Sequence, residues 1–286
     1  MTLRTIHIYC DGGLGNRFNG LVAGLLMAKA GDFEPIVVWP QNNWCGASFE
    51  ELFENDFHVL DRELVTYVPE KSAYQFLMTE DHLQMGVEFK SPLQLATLSE
   101  TLSFLAETDK DIYFHTPLIP QFFEAATVCK QVSELRFKGA LEARAHEFIR
   151  ERNLTEYFGL HIRKTDFGAG GSDDKNLFEL VSNCPQKRFF VCSDDQSVEQ
   201  RFQELPNAET YPKRAYVEML VDGTWNTPTA DHSGRVYACN VNRNAISVED
   251  ALIDLLILSY SQVVSTSNST FRNTALLLQS ARLTAH

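Results

Sequence analysis

The sequence predicts an α/β protein made of two Rossmann-like domains, and three observations carry that expectation. Short apolar runs alternate with helical patterns in both halves of the chain, as in βαβ units. Runs such as YFGLHI and RFFVCS are apolar at nearly every position, the signature of parallel strands covered on both faces. Four of the expected strands end in polar clusters just before a helix, where open α/β sheets bind ligands. The 286 residues are 44% hydrophobic and 22% charged, enough apolar side chain for two compact cores. We expect the division near residues 150–156: one domain over 1–153 and a second over 154–286, facing across a ligand cleft.

The first strand is TIHIYC (5–10), ending at the glycine-rich turn DGGLGNR and followed by a helix over roughly 18–30, apolar nearly all round. PIVVW (35–39) is the next strand. Ser48 and Glu51 have capping-box spacing and start a short helix. Residues 56–108 show no clear period. DIYFH (111–115) is a strand, and a helical region covers about 120–152 with a break near Gly139. The second half is more regular. YFGLHI (157–162) leads to a polar loop and a helix near 175–182, and RFFVCS (188–193) leads to Asp194-Asp195 and a helix to about 204. After a variable stretch over 207–245, Ser247 with Asp250 is expected to cap an apolar helix. QVVSTS (262–267) is the last strand, and the last helix covers about 273–282.

Twenty-five basic against 38 acidic residues leave a net charge of −13, which repels the nucleic-acid backbone and argues against a nucleic-acid partner. Six cysteines are scattered without a C-x-x-C pair, so neither a disulfide framework nor a zinc site is expected. Buried free thiols point to a reducing, cytoplasmic compartment. No basic-then-apolar leader opens the sequence, and the longest apolar runs are too short or too interrupted to span a bilayer. Contact with a membrane surface stays open.

His161 and Arg163 are two apart at the end of a strand and therefore project to the same face. The fork of Arg163 suits two diphosphate oxygens, or else a salt bridge to Asp166 or Asp194. The hydroxyls of STSNSTF (265–271) precede a helix and suit phosphate, or simply cap that helix. The GGLGN turn, with Gly13 and Gly15, allows close backbone approach, but it is neither G-x-G-x-x-G nor a P-loop, which argues against dinucleotide and ATP readings. Asp11 is a base candidate or a turn-forming Asp before Gly-Gly. Adjacent carboxylates such as Asp194 and Asp195 point to opposite faces of a strand, so one is expected to cap the following helix rather than to share a metal. Trp39 and Trp44 line an acceptor pocket or pack structurally.

Taken together, GGLGNRFNGLVAGLLMA, GLHIRKTD, FFVCSDDQSVEQRF and SVEDALIDLLILSYSQVVSTSNSTFRNTALLL resemble, in order, the motifs of the fucosyltransferase superfamily that includes bacterial α1,6- and α1,2-fucosyltransferases and protein O-fucosyltransferases. The resemblance implies a GT-B-like fold and an inverting, metal-independent glycosyltransferase that moves fucose from GDP-fucose to a saccharide acceptor, with no cofactor beyond that donor. Carried over by position, Arg163 would hold the β-phosphate and His161 would lie beside the nucleotide. Ser269 and Thr270 would bond the phosphates, and Asp250, or Asp254 one turn later, would approach the guanine edge. Asn16 and Arg17 would lie near the transferred sugar; Arg17 stands where the family often has Gln. A non-catalytic nucleotide-sugar or glycan-binding protein on the same fold, or a GT-B enzyme using another GDP- or UDP-sugar, remains an alternative.

Overall fold

The computed structural model describes residues 4–62, 76–79, 97–106, 111–166, 174–230, 236–237, 239–263 and 269–284. Along the chain run β1 (Thr5–Tyr9), α1 (Leu14–Gly31), β2 (Glu34–Val38), α2 (Phe49–Leu52), β3 (His58–Leu60), β4 (Phe76–Thr79), α3 (Leu98–Ala106), β5 (Ile112–His115), α4 (Ala125–Ser133) and α5 (Gly139–Glu151). There follow β6 (Tyr157–Ile162), α6 (Asp174–Ser182), β7 (Arg188–Ser193), α7 (Gln196–Gln203), β8 (Ala208–Glu209), β9 (Thr229–Ala230), β10 (Val236–Tyr237), α8 (Ala245–Leu258), β11 (Gln262–Val263) and α9 (Thr270–Thr284).

The contacts divide the chain into two compact units: 1–41, 55–136 and 281–286 form one, and 42–54 with 137–280 form the other. The expected cut at 153/154 therefore differs from the observed one. Residues 137–153 and the upstream 42–54 segment pack with the second unit, because their apolar faces are buried there. Phe53 pairs with Phe137, the Lys138 N–H donates to the Leu52 carbonyl at 2.9 Å, and α5 packs on α8.

The first unit holds a sheet in the order β3-β2-β1-β5-β4, parallel except for β4 against β5. Helix α1 covers it and begins at Leu14, four residues before the sequence suggests, because Gly13 caps it without a side-chain bond and Asn16 and Arg17 interrupt the apolar pattern. Gly12 turns the chain with φ +79°, a conformation glycine adopts without strain. Of the expected helix over 120–152, two separate helices form, α4 and α5.

The second unit is a parallel sheet in the order β11-β6-β7-β8, with a core of Leu160, Ile162, Leu177, Val181, Val191 and Phe202 among others. The expected capping box at Ser48 and Glu51 is present. At α8, however, Asn244 is the cap, accepting the Ser247 N–H at 2.9 Å, while Asp250 is engaged elsewhere. All six cysteines are free, and among the described residues no helix is long and apolar enough to cross a membrane.

Candidate active site

In the second unit the chain leaves β6 toward β7 on one side, while β11 lies on the other. The strand order therefore reverses at β6/β11, and the carboxyl ends of these two strands mark the crevice where a ligand is expected. The end of β6 and the start of α9 meet there. Ser269 Oγ accepts the Arg272 N–H at 3.1 Å, capping α9, and lies 3.2 Å from His161 Nδ1. The Phe271 ring stacks on the His161 imidazole, centroids 4.7 Å apart. The capping reading of the hydroxyl-rich segment thus holds for Ser269, which also touches the β6 motif. Thr270 opens the helix, and residues 264–268 lie outside the described residues.

His161 is buried, and burial, with the nearby Arg163 and Lys213 charges, lowers its pKa to about 3. At neutral pH it is an uncharged hydrogen-bonding group. Arg163 donates through Nη2 to Asp166 Oδ2 at 2.8 Å and through Nε to the Asp166 carbonyl at 3.2 Å. Arg243 donates to the other carboxylate oxygen, Oδ1, at 2.7 Å. Burial raises the Asp166 pKa, but Arg243 and Arg163 outweigh it and hold the carboxyl below its ordinary value. Asp194 accepts the Lys164 and Thr165 N–H groups and the Thr165 hydroxyl, at 2.7, 3.3 and 2.5 Å, pinning the loop after β6 to the end of β7. Asp195 caps α7, as expected of one of the pair. Among the described residues no His, Cys, Asp and Glu group is arranged to hold a metal ion.

Asp250 has a different environment from the one expected of a guanine-reading carboxylate. It is fully buried and accepts the Arg214 N–H at 2.5 Å, the Arg214 guanidinium at 2.8 and 3.0 Å, and Arg144 at 3.2 Å. One turn later, Asp254 pairs with Lys213 at 2.7 Å, and Lys213 also binds Glu199. One cation serves two buried carboxylates, and burial raises the Asp254 pKa to about 8.

In the first unit Asp11, Gly13, Gly15 and Asn16 lie at the β1–α1 turn, beside the place where the order reverses between β1 and β5. Arg17 is wholly buried: its Nε donates to the Gly12 carbonyl and Nη1 to the Pro40 carbonyl, both at 2.7 Å. It braces the turn from beneath instead of presenting its charge to a sugar. Trp39 packs under it, 5.1 Å from the guanidinium carbon, which settles Trp39 as structural.

The fold resembles those of solved glycosyltransferases. Fucosyltransferase NodZ from Bradyrhizobium superposes with a TM-score of 0.59 at 14% identity, over 97% of this chain and 94% of that one. NodZ α-1,6-fucosyltransferase co-crystallized with GDP gives 0.58 at 15%, over 97% and 93%. POFUT1 in complex with GDP-fucose gives 0.51 at 13%, over 97% and 94%. The fold is fucosyltransferase-like. It is a mixed α/β, GT-B fold with parallel sheets, as the motifs imply. No protein-family model and no curated protein matches the sequence itself.

Within this fucosyltransferase-like fold, sequence reasoning missed Arg243, Lys213 and Arg214. Each sits in the variable 207–245 stretch, where no periodicity flags it. The only available signal was the acidic i,i+4 pair Asp250 and Asp254 on an otherwise apolar helix, which demands cationic partners.

Proposed function

We propose that this chain is an inverting glycosyltransferase that moves fucose from GDP-fucose to a saccharide acceptor without a metal in the chemical step. The observation that carries the proposal is the convergence of His161, Ser269 and the start of α9 at the strand-order reversal of a fucosyltransferase-like fold, with Arg163 two residues on. As the glycosidic bond breaks, negative charge develops on the leaving diphosphate. The Arg163 guanidinium, the Thr270 hydroxyl and the first N–H groups of α9 would stabilise it, because a helix N-terminus carries partial positive charge. Neutral His161 would hydrogen-bond beside the nucleotide without adding charge. Inversion needs a base on the acceptor hydroxyl, and Asp11 is our candidate, with Asn16 orienting the sugar and Gly13 and Gly15 admitting it closely.

The test is GDP release from GDP-fucose with oligosaccharide acceptors in EDTA. Acceptor-dependent GDP formation is expected, and Arg163→Ala should lower kcat/KM by about 10²–10³. An absence of both turnover and GDP-induced thermal stabilisation would overturn the reading. Tight GDP binding without turnover would favour a binding protein on the same fold, and a strict Mg²⁺ requirement would overturn the metal-free chemistry.

A further inference from the structure

Arg272 stands part-buried in the first turn of α9. Among the described residues no carboxylate pairs with it, although every other described arginine of the second unit has one, from Arg144 with Asp250 to Arg243 with Asp166. Its one side-chain bond among those residues runs from Nη1 to Asn273 Oδ1 at 3.0 Å, and its Nε is buried without an acceptor. The position adds to the cost. A helix N-terminus carries partial positive charge, so a cation there is disfavoured, and the first turn of α9 has no acidic residue to offset it. The sequence just before α9, VSTSN (264–268), contains none either. A guanidinium with a buried, unpaired donor is poorly held where it is, and an anion at the start of α9 would relieve both defects.

The surroundings say which anion. Residues three apart on a helix share a face, so Arg272 lies on the face of Ser269. Ser269 Oγ accepts the Arg272 N–H at 3.1 Å and lies 3.2 Å from His161 Nδ1, while the Phe271 ring stacks on the His161 imidazole. Helical side chains lean toward the helix N-terminus, which carries the Arg272 side chain toward the end of β6, where the strand order reverses. We propose that Arg272 is a donor-binding residue: its guanidinium takes the oxygens of an anionic diphosphate held at the start of α9. The edge formed by Nε and Nη2 suits two phosphate oxygens at once, because the bond to Asn273 uses Nη1 on the other edge. This role rests on the GDP-sugar reading above, and adds to it a cation on the helix side of the crevice.

The experiment is calorimetric titration of the whole protein with GDP and with inorganic pyrophosphate, for wild type, R272Q, R272K and R163A, with the melting temperature of each ligand-free protein recorded alongside. R272Q should weaken both ligands roughly ten- to hundredfold, the worth of one hydrogen bond to a charged group. R272K keeps the charge but not the fork, and should recover only part of that loss. Ligand-free R272Q should melt no lower than wild type, because it removes a cation from the positive end of a helix. Wild-type affinity in R272Q, beside weakened binding in R163A, overturns the role of Arg272 and leaves the donor reading standing. A ligand-free R272Q that melts well below wild type also overturns it, since the arginine would then be structural. So does a loss of GDP affinity with pyrophosphate affinity unchanged, which would set Arg272 against the nucleoside. Wild-type protein that binds neither GDP nor pyrophosphate overturns the donor reading, and this role with it.

Discussion

His161 shows what a single residue contributes to both stability and site. Its folded pKa of about 3 lies below the 6.5 of an exposed histidine. Between those values the unfolded chain carries the extra proton, so stability rises with pH through the window and is lost as pH falls below 6.5. At ~1.4 kcal/mol per pH unit, this one group costs about 2 kcal/mol at pH 5 relative to pH 7. His161→Asn should therefore be less stable at pH 7 but lose about 2 kcal/mol less than wild type on going to pH 5, as read from urea unfolding at both values. Equal losses in the two proteins would show that His161 is solvated. The strand that carries His161 was legible because an apolar run of strand length is a local signal, although β6 ends at Ile162, one residue before Arg163. The task of Arg17 was not. A charged side chain near a glycine-rich turn looks like a ligand group until its carbonyl partners, one of them 23 residues away, are known.

Between elements, the most consequential feature is a buried network that no local pattern announces. Lys213 donates to the Ser193 carbonyl at the end of β7 at 2.6 Å, to Glu199 on α7 and to Asp254 on α8. Tyr216 donates to the other Glu199 oxygen at 2.6 Å, and the Ser193 N–H donates to Glu199 at 2.8 Å. The next cation, Arg214, meets Asp250 one turn earlier on α8. Two consecutive basic residues thus clasp two acidic residues spaced i,i+4. Lys213→Met should destabilise the protein by about 3–5 kcal/mol at pH 7, because it removes the buried cation shared by Glu199 and Asp254. The loss should grow from pH 7 to pH 9: in the wild type Asp254 ionises beside Lys213 through about pH 8, whereas without the cation its carboxyl keeps its proton to higher pH, so only the wild type gains the ion pair. A penalty equal at pH 7 and pH 9 would argue that Asp254 does not ionise against Lys213. Capping at Ser48 and Glu51 was legible because it lies within four residues. The clasp was not, because its partners are 14 to 41 residues apart and are brought together only by the sheet.

For the whole molecule, the alternation of apolar strands and helices was sufficient to predict two α/β units, and the net charge of −13 said nothing of the two guanidinium groups that meet at Asp166. The boundary was less legible, because it follows contacts, and the second unit recruits 42–54 and 137–153 from the half of the sequence assigned to the first. That difference has a measurable consequence. A fragment 154–286 would lack Arg144, one partner of buried Asp250, and Phe148, whose ring meets Phe190 and Tyr211 at 5.9 and 5.5 Å. It would also lack Phe137 and Phe53, stacked at 5.3 Å. Losing three buried phenylalanines, at about 3–5 kcal/mol each when truncated, is as large as the whole 5–15 kcal/mol by which a domain is stable. We therefore expect 154–286 to show no cooperative thermal transition by circular dichroism. The remedy follows from the contacts: the Gly139 N–H donates to Glu54 Oε1 at 3.0 Å and Lys138 bonds to Leu52, so residues 54 and 137 are neighbours in space. A chain of 42–280 with 55–136 replaced by a short Gly/Ser linker should close that gap at small entropic cost and melt cooperatively. A cooperative transition in 154–286 alone would instead restore the boundary at 153/154 and relegate the upstream segment to a dispensable strap.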